Sequence, residues 1–256
     1  MNKNDPAAGG RRIWLVGATS GIGYQLALDM AEIGHQVIIS GRNQKKLEEM
    51  RGQYPKNLIP LAMDVTRFEA VESAGHKLKE DFGSLDTLVY NSGNCIYVDV
   101  KKLRHEDFEK VFQVNFMGLI HTLEVALPIL RQGTRPYIVG MSSSAAFVGL
   151  PRSEAYGASK AAVQYLMDSL RVDLAAEGID VSTVYPGFVK TPLTDLNDFS
   201  MPFLISSKEA SNQIIKGMKN REHNIHFPKK FTLLLKLLGN FPSSLKTKIV
   251  KKIARA

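Results

Sequence analysis

Cysteine is nearly absent from this 256-residue chain: Cys95 stands alone. An internal disulfide and a multi-cysteine zinc site are thereby excluded. No other metal-binding pattern is present, and a single thiol fits a reducing, cytoplasmic compartment. Also missing is any run of about eighteen uncharged apolar residues, which argues against a spanning helix. The opening "MNKNDPAAGGRR" holds no apolar stretch of signal-peptide length, and residues 1–10 are expected to be a loose leader. Internal repeats and low-complexity segments are lacking too. Acidic residues are scarce at one end only. From Lys216 to Ala256 eleven Lys/Arg face one acid, Glu222, giving +10, so the rest holds 22 basic and 24 acidic residues, −2. A nucleic-acid binder would carry its basic charge on the main body, so no nucleic-acid partner is expected.

Short apolar runs alternate with helical stretches. Strands are expected at 12–17, 35–41, 58–65, 85–93, 135–143 and 179–187. Helices are expected to Gly34, over 44–54, 67–82 and 106–131, and from the segment holding Tyr156 to Glu177. Strands separated by helices predict an α/β fold, a doubly wound parallel sheet with helices on both faces. Ligands of such sheets bind beyond the carboxyl ends of the strands.

At the first of those ends, "VGATSGIG" places Gly17, Gly21 and Gly23 between a strand and a helix. Gly17 permits a tight turn, Gly21 lets backbone approach a pyrophosphate, and Gly23 lets the helix pack close to the sheet. The helix N-terminus offers free N–H groups to the anion. The spacing is G-x-x-x-G-x-G, not G-x-G-x-x-G, yet its strand-to-helix context is the one dinucleotide binding needs. The second strand ends in "SGRN", with Arg42 where a ribose-binding carboxylate would stand. A guanidinium there suits a 2′-phosphate and predicts NADP(H) over NAD(H). After the third strand, Asp64 either accepts from the adenine amino group or caps the segment beginning at Thr66. After the fourth, Asn91 stabilises the sheet and Gly93 allows close approach of the cofactor, or both form a plain turn.

In "SEAYGASKAAVQ", Tyr156 and Lys160 share one helix face at i, i+4. Such a pair arises often by chance on exposed helices. A free phenol titrates near 10, too high for acid–base work at neutral pH; an adjacent ammonium and a cationic nicotinamide favour the phenolate. A hydroxyl such as Ser143, at the end of the fifth strand, would orient a carbonyl.

These residues together resemble the short-chain dehydrogenase/reductase family, single-domain type. The likeness covers about residues 10–228 through "GATSGIG", "MDV", "NSG", "VNFMG", "MSSSAAFVG", "YGASKAA" and "YPGFVKTP", in the family's order. It implies Tyr156 as acid/base, Lys160 holding the nicotinamide ribose and lowering the tyrosine pKa, and Ser143 positioning the substrate oxygen, with Ser142 and Ser144 as adjacent alternatives. Asn115 would kink its helix and hold a water of the proton relay. Thr19, Ser20, Ile22, Val65 and Ser92 join the glycines, Arg42, Asp64 and Asn91 around the cofactor. Pro186, Gly187, Val189 and Thr191 match the loop against the nicotinamide. Tyr90 and Ser92 depart from the family's usual "NNAG". Homodimers or homotetramers, paired through the helices of Asn115 and Tyr156, are implied as well.

The implied activity is interconversion of a ketone and a secondary alcohol. The segment 192–207 would then be a lid, and its Leu193, Leu196, Phe199, Met201, Phe203 and Leu204 favour an apolar, lipid or steroid-like substrate. The catalytic domain is expected over 11–228. Residues 229–256 form a helical extension with leucines and basic residues, read either as a membrane-surface element or as helices packed on protein. In character it resembles the tails of family members acting on lipids. A soluble 3-oxoacyl-carrier-protein reductase and a non-catalytic NADP(H)-binding sensor or scaffold are the alternatives.

Overall fold

The computed structural model describes residues 10–253; all of the expected leader but Gly10, and the last three residues of the extension, lie outside the described residues. The first half runs β1 (Arg12–Val16), α1 (Gly21–Glu32), β2 (Gln36–Ser40), α2 (Gln44–Gln53), β3 (Leu58–Pro60), α3 (Phe68–Phe82) and β4 (Thr87–Tyr90). Next come α4 (His105–Phe112), a π-helical segment Gln113–Met117, α5 (Gly118–Leu130), β5 (Tyr137–Met141), α6 (Glu154–Asp173) and β6 (Asp180–Pro186). The chain closes with α7 (Ser207–Lys219), β7 (Asn224–Phe227), α8 (Lys229–Gly239) and α9 (Ser243–Ile253).

All seven strands are parallel, in the order β3-β2-β1-β4-β5-β6-β7. Period-two alternation makes each strand serve two cores. Ile13 and Leu15 of β1, Val89 of β4 and Val139 of β5 face a cluster with Leu26 and Met30 of α1 and Ala210 and Ile214 of α7. Trp14, Val16, Leu88 and Ile138 face the opposite cluster, with Leu78 of α3, Leu123 of α5 and Met167 of α6. The lone tryptophan is fully buried, and its indole N–H is satisfied by Ser40 Oγ at 2.9 Å.

Among the described residues, one helical stretch, His105–Leu130, is long and apolar enough to cross a bilayer. Its Leu119, Leu123, Ala126, Ile129 and Leu130 are buried in the protein core, which accounts for that composition. It is not one α-helix: the π turn around Asn115 inserts an extra residue between α4 and α5.

Two strands differ from expectation. The third stops at Pro60, which has no N–H for the ladder, so Asp64 stands in the following loop. The seventh was not foreseen: "NIHF" is short, and only pairing from Thr183↔Asn224 to Pro186↔Phe227 makes it a strand. The register Val16↔Ser40, Val16↔Tyr90 and Met141↔Val184 lines the carboxyl ends of β1, β2, β4, β5 and β6 along one edge. The order reverses at β1, between β2 and β4, which opens a crevice there.

Candidate active site

Gly17 leaves β1 at φ +90. A side chain at Gly23 would come within 2.1 Å of the Gly17 carbonyl oxygen, so only glycine lets α1 sit this close to the turn. Asn91, leaving β4, donates through Nδ2 to that same carbonyl at 2.7 Å and welds the two strand ends. Ser92 packs directly on Gly17. Tyr90, the other departure from the family pattern, sends its hydroxyl to the Val114 carbonyl inside the π turn. Ser20 caps α1 without a side-chain bond, leaving the helix N-terminus open toward the crevice.

Thr19 lies against Gly41 at the end of β2, where Arg42 follows. Asp64 sits within range of the Arg42 charge. Burial would raise its carboxyl, but hydrogen bonds from Thr66, with Arg42 and Arg67 nearby, hold it below the usual carboxylate range. Its Oδ1 accepts from Thr66 N at 3.0 Å and Thr66 Oγ1 at 2.8 Å, the local turn weighed against adenine contact in the sequence. Val65 packs against Gly118 of α5 and not on the crevice.

A cavity of about 150 Å³ lies at the strand ends. Ser20, Gly21 and Ile22 line it from α1, and Asn91 and Gly93 from the end of β4. Ser143, Tyr156 and Lys160 close it from β5 and α6, and Pro186, Gly187, Val189 and Thr191 from the loop after β6. Met141, Ser142, Pro192, Leu193 and Thr194 also line it. None of these five stood among the expected cofactor contacts; their place at the ends of β5 and β6 was the available signal. Thr194 Oγ1 braces its loop by donating to Val189 O at 2.7 Å.

Burial pushes the Tyr156 phenol up to about 12, with the neighbouring Ser143 hydroxyl opposing the rise. Lys160, 4% exposed, donates from Nζ to the Met141 carbonyl at 2.8 Å. Burial brings its ammonium down to about 8. Nζ lies 5.8 Å from the Tyr156 ring centroid. Ser142 Oγ is committed to the Lys160 carbonyl at 2.8 Å, leaving Ser143 as the hydroxyl beside the tyrosine. The cavity therefore gathers a phenol proton donor, a hydroxyl and a cation at one edge.

Asn115 is fully buried and does not line the cavity. Its Nδ2 donates to Asn94 O at 3.0 Å and Ser159 Oγ at 2.9 Å, and its Oδ1 accepts from Asn94 N at 2.8 Å. Ser159 Oγ then donates to the Tyr156 carbonyl at 2.7 Å. Asn115 thus ties the loop after β4 to the helix of Tyr156.

Three segments meet outside the cavity. Arg152, before α6, contacts both oxygens of Asp198 in the segment 192–207 at 2.8 and 3.0 Å. Its guanidinium lies over the Tyr97 ring at 4.8 Å, and the Tyr97 hydroxyl donates to Asn197. Arg152 holds φ +64, a left-handed backbone that a non-glycine residue rarely adopts. The extension reaches the site as well: the Phe231 ring of α8 fills the space that a side chain on Gly187 would take, 2.8 Å from its Cβ position.

The short chain dehydrogenase family model matches residues 11–199, and the chain belongs to that family. An uncharacterized oxidoreductase of Myxococcus xanthus is 34% identical over 238 residues, covering 92% of this chain and 94% of that one. One of Staphylococcus saprophyticus is 30% identical over 213 residues, covering 82% and 91%. Among solved structures, a short chain dehydrogenase/reductase from Burkholderia phymatum in complex with NAD superposes with TM-score 0.81 at 22% identity, covering 90% of this chain and 92% of that one. ElxO with NADP bound gives TM-score 0.76 at 27% identity, covering 85% and 95%. The fold and family of an NAD(P)-dependent oxidoreductase are thus in place.

Proposed function

We propose that this protein interconverts a ketone and a secondary alcohol with NADP(H), on an apolar, lipid-like or steroid-like substrate. The observation that carries the reading is that Ser143, Tyr156 and buried Lys160 line one cavity at the carboxyl ends of a doubly wound sheet. A nicotinamide, when bound, supplies or accepts the hydride. The residues present suit that group: a cavity edged by Gly21, Gly93 and Gly187 leaves backbone and not side chains against a flat ring.

Ser143 Oγ orients the substrate oxygen, and the Tyr156 hydroxyl donates its proton to that oxygen in reduction and takes it back in oxidation. With its pKa near 12, the phenol arrives protonated at neutral pH, as reduction requires. Lys160 positions the ribose and favours the phenolate that donation leaves behind. Asn115 holds Asn94 and Ser159 around that helix, behind the cavity and not in it. Asn91 fixes the turn of Gly17 and Gly23, while Thr19 and Ser92 flank that turn on the adenosine side.

The two solved relatives are described with NAD and with NADP. Arg42, with no carboxylate at the end of β2, favours NADP(H) here. Leu193 at the cavity and Phe199 and Phe203 in the lid favour an apolar substrate. A homodimer or homotetramer would cover Tyr165 and Val172, 78% and 75% exposed on α6. The cytoplasmic chain would touch a membrane peripherally through 229–256. Tyr156→Phe is the test: turnover of model ketones should fall by more than about a thousandfold while NADPH affinity holds. Unchanged turnover would remove Tyr156 from the reaction.

A further inference from the structure

We propose that the mouth of the active site opens within the membrane-binding face itself, so that substrate enters directly from an anionic bilayer. This rests on the reductase reading and assigns the membrane contact to a particular face, α8 together with the lid.

Among the described residues, seven of the twelve exposed large apolar side chains fall in this region: Phe199, Phe203 and Leu204 in the lid, Leu233, Leu234 and Leu237 on α8, and Leu245 on α9. Helix α8 is apolar on two sides. Phe231, Leu235 and Leu238 are buried against Val148, Phe147 and Phe188. Turning about 100° per residue, the helix sets Leu233, Leu234 and Leu237 on the opposite side within an arc of about 100°. Those three are 53, 59 and 59% exposed. A helix with apolar residues on two sides, one of them exposed, needs a second apolar environment for that side.

That face is continuous with the site. Phe231 packs on Phe188 at 5.4 Å and on Phe203 at 6.1 Å, and Phe188 packs on Phe199 at 5.9 Å. Phe188 follows Gly187 in the cavity wall. An aromatic path thus runs from the exposed lid and α8 to the loop that borders the reacting groups. A second cavity, about 540 Å³, lies nearby, where Leu150, Pro151 and Val250 form apolar wall beside Lys246, Lys251 and Glu154.

Charge selects the occupant. Residues 229–253 hold seven lysines and no carboxylate side chain. A second copy of this chain would bring like charges together, which opposes association. An anionic leaflet attracts them, and salt weakens that attraction.

The test uses the full chain and a Leu233→Glu/Leu234→Glu/Leu237→Glu variant, with vesicles of phosphatidylcholine alone or with phosphatidylglycerol. The wild type should co-sediment with the anionic vesicles and be released by salt, and the variant should lose roughly tenfold or more in partitioning. Turnover of a long-chain ketone in those vesicles should follow its mole fraction in the bilayer and fall in the variant in proportion to the lost binding. A short, water-soluble ketone should be turned over equally by both proteins. Equal vesicle binding, or equal turnover of the vesicle-borne ketone, would overturn the proposal. So would a variant that changes only its oligomeric mass in ultracentrifugation, since a second copy would then own the face. Vesicle binding by the wild type alone, with no turnover of either ketone, would support the docking face while defeating the reductase reading.

Discussion

Replacing Lys160 by Met removes an ammonium that is 4% exposed and held near 8 against an ordinary 10.5. Those two values fix how its contribution to stability changes with pH. Below about pH 8 the lysine is protonated in both folded and unfolded chains, and burying the charge costs about 3 kcal/mol. Between about 8 and 10.5 the folded chain has given up a proton that the unfolded chain keeps, so the cost shrinks as pH rises. Integrating the proton difference from about pH 7 to about pH 9.5 relieves about 2 kcal/mol in the wild type and nothing in the variant. Lys160→Met also strips the Met141 carbonyl of its 2.8 Å donor, a loss of about 1–3 kcal/mol that does not depend on pH. The comparison at one pH is therefore ambiguous, whereas its change with pH is not. Other titrating groups, Cys95 at about 11 among them, are common to both proteins and cancel in the difference to first order. Urea unfolding of both proteins at the two pH values measures it, and the variant's relative stability should fall by about 2 kcal/mol toward alkaline pH, roughly 4–8 °C in melting temperature. A difference that stays flat within the roughly 10–15% extrapolation error would refute a buried, downshifted ammonium.

Arg42→Asp should weaken NADPH binding by roughly tenfold or more and spare or improve NADH, because a carboxylate repels the 2′-phosphate; fluorescence titration reads both, and equal losses would sink the assignment. Arg152→Ala and Asp198→Ala each break the ion pair between the segment 192–207 and the loop before α6. Both should raise KM several-fold and leave the Tyr156→Phe effect intact, and the double variant should add little to either single one. Additive losses in steady-state kinetics would show that the two residues act separately.

Much of this architecture is legible in the sequence because it is locally encoded. Alternating apolar runs mark the first six strands, and the glycines between Gly17 and Gly23 mark a turn that no other residue type could make. Tyr156 and Lys160 are legible for the same reason: four helical positions fix their relation whatever surrounds them. What was not legible depends on distant partners. "NIHF" becomes a strand only through the exposed edge of β6. Residues 106–131 read as one helix, since nothing local announces the π turn that Asn115, Asn94 and Ser159 stabilise across the fold. The tail offered two readings; one side of α8 packs on Phe188, while Leu233, Leu234 and Leu237 on the other are exposed, and which reading holds depends on a partner outside the chain. The tyrosine pKa also departs from the simple expectation. Lys160 was to lower it, yet burial dominates and raises it to about 12.

The π turn at Gln113–Met117 is in effect a one-residue insertion lodged in a helix. Deleting a single residue there would heal the helix, restore its regular hydrogen bonding and swing α4 about 100° relative to α5. The same deletion would withdraw the side chain that joins Asn94 to Ser159. Selection for a sturdier chain and selection for an ordered site therefore pull this position in opposite directions. A lineage released from catalysis should lose the extra residue before it loses Tyr156.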